Sequence, residues 1–242
     1  MTGVLDQLDI ELEEREAALA DLVPFVCRFT PGYSPGWVHW EIGQKLREFM
    51  EAIERRESPR LIITMPPRHG KSTLSTIGLP PWVWAHHPEW DIITGCYSSE
   101  LAGDFGEQVG GIVNSPEYKA LAPGTVLGRR HKEKRGEPAR DRFNTTRGGR
   151  YRAIGVGGGA TGRGAHLFIV DDPYKGPEEA DSEAFQKKVL KWYYGVASTR
   201  LAPGGGILIV MTRWGENDLV GHLLEAMDEV GENSGERWQV ID

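Results

Sequence analysis

Apolar residues run through this chain in two rhythms. Leu61-Ile62-Ile63-Thr64-Met65, Leu167-Phe168-Ile169-Val170 and Gly206-Ile207-Leu208-Ile209-Val210-Met211 are short, nearly unbroken apolar runs, as expected of strands buried on both faces. Residues 91–97 (DIITGCY) read as a further strand. Elsewhere apolar positions recur at the helical period: Trp37, Ile42, Leu46, Phe49, Met50 and Ile53 line one face of a helix expected over 37–56, stopped by Ser58-Pro59. A second helix is expected from Ser72 to about Ala85, with a break in its second half at Gly78 and Pro80-Pro81. Ser98-Ser99-Glu100 caps a third that runs to about Asn114. Further helices are expected over 178–196, ending near Gly195, and over 219–227, opened by Asn217-Asp218. The glycine-rich stretch 141–164 alternates in character and predicts a hairpin or two short strands, and 238–241 a last strand. Apolar strands alternating with helices predict an α/β fold: a mainly parallel sheet covered on both faces, with active groups at the carboxyl ends of its strands.

Composition adds a few exclusions. With 242 residues, 26% charged and 39% hydrophobic, the chain suits one large globular α/β domain. No apolar run approaches the length that spans a bilayer, and the acidic N-terminus (Asp6, Asp9, Glu11, Glu13, Glu14, Glu16) is unlike a secretory signal, so a cytoplasmic setting is expected. Cys27 and Cys96 lack the number and spacing of a disulfide framework or zinc site, and none of the seven histidines forms an H-E-x-x-H pair. The first twenty residues predict an exposed helix or arm, and the domain is expected to begin near residue 37. Net charge is −7, yet Arg129, Arg130, Lys132, Lys134, Arg135, Arg140, Arg142, Arg147, Arg150 and Arg152 face only Glu133, Glu137 and Asp141. That segment is a candidate contact for a nucleic-acid backbone, or a solvated basic loop.

The chemistry-bearing motif follows the first apolar run. Pro66-Pro67-Arg68-His69-Gly70-Lys71-Ser72 ends as a phosphate-binding loop ends: Pro67, Arg68, His69, Gly70, Lys71, Ser72 and Thr73 are the expected nucleotide-binding segment, in which backbone N–H groups of the loop cradle phosphate oxygens at a helix start, Lys71 reaches the β- and γ-phosphates, and the Ser72 hydroxyl ligates Mg²⁺. Met65 stands where the usual pattern has its first glycine. The second run delivers Asp171-Asp172: Asp171 is the expected second metal ligand, and Asp172 the expected group that polarises the attacking water, with Glu178 and Glu179 as rivals. Arg68, inside the loop, and Arg163, in Thr161-Gly162-Arg163-Gly164, are placed to stabilise charge on a transferring phosphoryl group. Thr212-Arg213 ends the third run, where a polar group can sense the γ-phosphate. Trp82, Trp84, Trp192, Trp214 and Trp238 read as packing residues.

In order, PPRHGKS, GGGATGRGAHLFIVDDPYKGPEEA and STRLAPGGGILIVMTRWGENDLVGHLL resemble the ATPase domain of the large terminase subunit of tailed double-stranded DNA bacteriophages and prophages, from about Trp37 to the C-terminus. The resemblance implies a RecA-like P-loop fold with an additional strand. It also implies an ATPase that uses ATP and Mg²⁺ to translocate double-stranded DNA into a procapsid. The implied partners are the DNA, a portal protein, a small terminase subunit and further copies in a homo-oligomeric ring; the implied place is the host cytoplasm, docked on the procapsid, without a membrane. By resemblance Lys71 and Ser72 take the Walker A roles, Asp171 the Walker B role, Arg68 that of the loop arginine, Thr212 that of the coupling motif and Arg163 that of a finger acting in trans. Gln44 and His39 are candidates for the adenine contact. The family's C-terminal nuclease is expected to be absent from this chain. A helicase-like ATPase, or a nucleotide-binding assembly module without turnover, are the alternatives; the helicase would need a second RecA-like domain.

Overall fold

The computed structural model describes residues 2–128, 140–159, 164–230 and 237–242. Two helices open the chain, α1 (Thr2–Ala20) and α2 (Leu22–Phe29), followed by α3 (Trp37–Glu54) and the strand β1 (Arg60–Thr64). After the loop, a π-helical stretch (Thr73–Gly78) passes directly into α4 (Leu79–His86). Then come β2 (Ile92–Cys96), α5 (Ser99–Asn114), α6 (Pro116–Leu121), β3 (Arg142–Asn144), β4 (Arg150–Gly155) and β5 (Ala165–Asp171). The chain continues through α7 (Pro177–Asp181), α8 (Glu183–Trp192), β6 (Leu201–Met211), α9 (Leu219–Val230) and β7 (Gln239–Ile241).

Among the described residues the strands form one seven-stranded sheet in the order β3-β4-β2-β5-β6-β1-β7, parallel throughout except for β3, which pairs antiparallel with β4. β6 lies between β1 and β5, with Ile209 opposite Ile62 on one side and Val170 on the other. This register brings Thr64, Met211, Asp171 and Cys96 to one edge of the sheet. Because strand side chains alternate between faces, each apolar run feeds two cores. Leu61, Ile63, Leu208 and Val210 face a core with α2, α3, α4 and α5, while Ile62, Phe168, Val170, Ile207 and Ile209 face one with α8 and α9.

Local chemistry explains the ends. Ser98 Oγ accepts from Leu101 N and caps α5 as expected. The expected hairpin forms as β3 and β4. The break expected near Pro80-Pro81 is instead a widening: the prolines offer no N–H to the carbonyls four residues back, and the helix adopts π geometry before them, with Leu79 N bonded to Leu74 O. The helix expected over 178–196 is two helices, divided at Ser182, where the backbone is extended (φ −79°, ψ 115°), and prolonged by a π-helical stretch at Tyr193–Ala197. The last apolar strand begins earlier than expected, at Leu201. Nor do all of residues 1–36 stand apart as an arm. Ala18, Leu22, Val23, Phe25 and Val26 are buried in the same core as Leu74 and Leu79.

That docking is close. A Cβ added at Gly78 would lie 2.3 Å from Val26 Cγ2 and 3.1 Å from Thr73 O. Gly78→Ala is therefore expected to destabilise the fold by about 1–3 kcal/mol, outweighing the roughly 1 kcal/mol of helix propensity gained. Urea denaturation checks this, and Val26→Ala added to Gly78→Ala should recover part of the loss.

Candidate active site

The site is built where three parallel strands stop. β1 ends in the loop, β5 in Asp171-Asp172 and β6 in Thr212, and the backbone stitches them together: Met65 N donates to Met211 O (3.2 Å), Asp172 N to Val210 O (2.9 Å) and Thr212 Oγ1 to Met65 O (3.2 Å). In the loop, Arg68 (φ +64°) and Gly70 (φ +77°) are left-handed on either side of His69, which is not. Alternation of this kind turns successive N–H groups into one concavity, an anion-binding nest. The loop then enters its helix through Leu74 N to Gly70 O (3.0 Å) and Ser75 Oγ to Lys71 O (2.7 Å).

Two carboxylates meet this loop in different states. Asp172 Oδ2 pairs with Lys71 Nζ at 2.8 Å, and its Oδ1 accepts from Thr212 N, also at 2.8 Å. Its φ of +40° is strained for a residue with a Cβ. Asp171 is buried, and its Oδ2 accepts from Thr76 Oγ1 at 2.6 Å. Burial, and then the negative charge of Asp172, push its pKa up to about 6 against the pull of Thr76, Ser72 and Lys71. Ser72 is thus near enough to Asp171 to lower its pKa, yet Oδ1 of Asp171 is buried with no hydrogen-bond partner among the described residues. A buried carboxylate oxygen beside a serine hydroxyl and a nest fits a divalent cation held with phosphate, the arrangement in which Mg²⁺ uses one or two protein oxygens and keeps others for substrate.

Of the residues singled out in the sequence, Lys71, Ser72, Asp171, Asp172 and Thr212 come together, with Gly70 and Thr73 flanking. Pro67, Arg68 and His69 form the exposed outer turn of the loop. His69 Nδ1–H donates to Pro67 O at 2.9 Å. Glu179 Oε2 accepts from Lys175 N (2.9 Å) and closes the turn before α7, while Glu178 is exposed. His39 reaches the loop through His69 O (2.8 Å); Gln44 bonds Glu48 (3.2 Å) along α3. Arg163 lies outside the described residues, as do Arg129, Arg130, Lys132, Lys134 and Arg135 of the basic segment. Two residues escaped the sequence reading of the site. Thr76 stands one helical turn after Ser72, a spacing that puts both on one face. Asp218, read only as opening a helix, is buried: it pairs with Arg213 Nε (2.9 Å) and accepts from Trp214 N (3.1 Å) and Gly221 N (3.0 Å).

A family model described as the N-terminal part of the terminase large subunit, T4-like-virus type, matches residues 62–241. Among solved structures, the HK97 bacteriophage large terminase is similar at TM-score 0.52 and 16% identity, over 90% of this chain and 42% of that one. The chain therefore spans less than half the length of that protein. The large terminase ATPase domain of Thermus phage P74-26 gives TM-score 0.45 and 15% identity, over 76% of this chain and 67% of that one. Comparison with curated proteins gives no match. At that identity the likeness to the HK97 protein concerns the fold, which is RecA-like with β6 as the additional strand between β1 and β5.

Asp171 carries a pH signature. Its folded pKa lies above its unfolded value, so the folded state holds the proton more tightly, and ionisation opposes folding once pH exceeds the unfolded pKa of 3.8, in full above about 6. Asp171→Asn, which keeps the shape and an acceptor for Thr76, is expected to stabilise the free protein by up to about 3 kcal/mol at pH 7–8. The gain should shrink through pH 6 and vanish near pH 4, as urea denaturation at several pH values would measure.

Proposed function

The chain belongs to the terminase large-subunit family, T4-like-virus type, and from that premise we propose that it is an Mg²⁺-dependent ATPase whose hydrolysis drives double-stranded DNA into a procapsid. The observation that carries the reading is the convergence of Lys71, Asp171, Asp172 and Thr212 on adjacent strand ends around a loop of alternating handedness. In this reading the N–H groups of the loop surround the β-phosphate, and Lys71 exchanges Asp172 for the β- and γ-phosphates. Ser72 and Asp171 hold Mg²⁺, which when bound neutralises phosphate charge. Asp172, released from Lys71, is the group that accepts a proton from water; it is one methylene shorter than a glutamate, and Glu179 is its rival. Thr212, joined to Asp172 Oδ1 through its N–H and to Met65 O through its hydroxyl, registers the change at the end of β6.

Arg68 sits exposed on the loop, available to the γ-phosphate or to a neighbouring acid. Arg163 is proposed as the finger that a neighbouring subunit inserts, worth roughly 10³ to 10⁵ in rate, so the isolated chain is expected to be a slow monomer. Assembly into a homo-oligomeric ring on a portal protein, delivery of DNA by a small terminase subunit and a working place in the host cytoplasm complete the proposal. The basic segment at 129–152 is its candidate DNA contact.

ATPase turnover measured against protein concentration, with and without DNA, is the test. Turnover should rise cooperatively with concentration, and Lys71→Ala should abolish it; full turnover in Lys71→Ala would remove the mechanism. Asp172→Asn is expected to lose about 10²- to 10⁴-fold in kcat while still binding ADP. Wild-type turnover in Asp172→Asn together with loss in Glu179→Gln would transfer the role to Glu179. Mixed rings of inactive Arg163→Ala and inactive Lys71→Ala subunits should regain partial activity if the finger acts in trans.

A further inference from the structure

The outer wall of the phosphate loop is made by residues some thirty positions earlier in the chain. His39, in the first turn of α3, accepts from Gly36 N at Nδ1 (2.9 Å) and meets His69 O at Nε2 (2.8 Å). Gly36 N can only donate and His69 O can only accept, so both contacts hold together in one state alone, the neutral ring with its proton on Nε2. Tyr33 braces that ring edge-on, with centroids 5.6 Å apart at 79°. Gly70 backs onto the pair: a Cβ there would lie 3.2 Å from Tyr33 Cε2 and 3.3 Å from His39 Nε2.

The consequence follows from the planar trans peptide, in which C=O and the next N–H point in opposite directions. Tying His69 C=O outward to His39 turns Gly70 N–H inward, toward the concavity of the loop. Two peptides earlier the His69 ring holds Pro67 C=O, which fixes the opposite direction for Arg68 N–H. We propose that His39 is a positioning residue for the phosphate loop: it fixes the 69–70 peptide so that Gly70 N–H is aimed at a phosphate before nucleotide arrives, and so couples the start of α3 to nucleotide affinity. The proposal rests on the nucleotide-site reading above. His39 touches no reacting atom in it, and the pre-set peptide spares the loop a reorganisation on binding.

Two readouts test this, one of which needs no nucleotide. His39→Phe keeps a ring against Tyr33 and Gly70 but has no ring nitrogen. His39→Gln restores an acceptor for Gly36 N, as glutamine does at this position of a capping box, and a donor for His69 O. In the free protein, amide hydrogen exchange at Gly70 and Lys71 should quicken about tenfold in His39→Phe and return to within about threefold of wild type in His39→Gln. With ADP and MgCl₂ as the probe, Kd by calorimetry should rise about tenfold in His39→Phe and recover in His39→Gln, with kcat at saturating ATP little changed. Unchanged exchange in a folded His39→Phe, or a His39→Gln protein no better than His39→Phe, would overturn the positioning role. Altered exchange with no ADP binding by any form, wild type included, would instead overturn the nucleotide reading and leave His39 as an anchor of the loop alone. Should His39→Phe not fold, His39→Gln against wild type decides: a difference above about threefold in exchange overturns the role.

Discussion

The arrangement at the strand ends depends on a single ion pair, Lys71 with Asp172, enclosed enough that the lysine side chain is 7% exposed and the aspartate 28%. Removing an ammonium and a carboxylate from water is costly, and only close geometry with the remaining polar atoms satisfied offsets the penalty. Here Lys71 Nζ stands 2.8 Å from Oδ2, and Thr212 N–H occupies Oδ1. The same two contacts hold Asp172 in a left-handed backbone that costs on the order of 1–3 kcal/mol at a residue with a side chain. Loop, acidic strand and β6 are thereby joined at one point, and the order β5-β6-β1 makes the junction geometrically available.

That strained backbone also explains how two adjacent acids serve one site. In a regular strand, Asp171 and Asp172 would face opposite sides of the sheet. The turn of φ at Asp172, immediately after β5 ends, brings its carboxylate to Lys71, while Asp171 keeps its strand geometry and meets Thr76 on the helix that follows the loop. One acid is buried, with a neutral hydroxyl donor and a raised pKa; the other is half-buried and paired with a cation. Neighbours in sequence, they differ in burial, in partner and in charge environment.

Much of this was legible in the residue pattern, because fully buried parallel strands are written as unbroken apolar runs and leave little else for Leu61–Met65 or Leu167–Val170 to be. Ser98 as a cap, the β3–β4 hairpin and the convergence of Lys71, Ser72, Asp171, Asp172 and Thr212 followed from local chemistry and strand order. What was hidden depends on partners distant in the chain. Thr76 matters only because Asp171 arrives 95 residues later. The docking of α2 is invisible to a reading of charge, since Glu11, Glu13, Glu14 and Glu16 dominate the N-terminal composition while Leu22, Phe25 and Val26 bury themselves. The widening of the helix at Thr73–Gly78 reflects a compromise between two prolines and the close approach of Val26 to Gly78, which no single window displays.

The ion pair also sets a condition on any phosphate ligand. The Lys71 ammonium has three N–H donors and already gives one contact to Asp172, so a polyphosphate would share it with that carboxylate, whose other oxygen accepts from Thr212 N. Thr212 opens the short segment that ends at Asp218, where Arg213 Nε and the N–H of Trp214 converge on a buried carboxylate at the start of α9. Because Asp218 also accepts from Gly221 N within the first turn of α9, that helix is anchored to the same segment whose first residue holds Asp172. The contacts from Lys71 through Asp172 and Thr212 to Asp218 thus lead from the loop to the first turn of α9, beside a strand, β6, that is packed between β1 and β5.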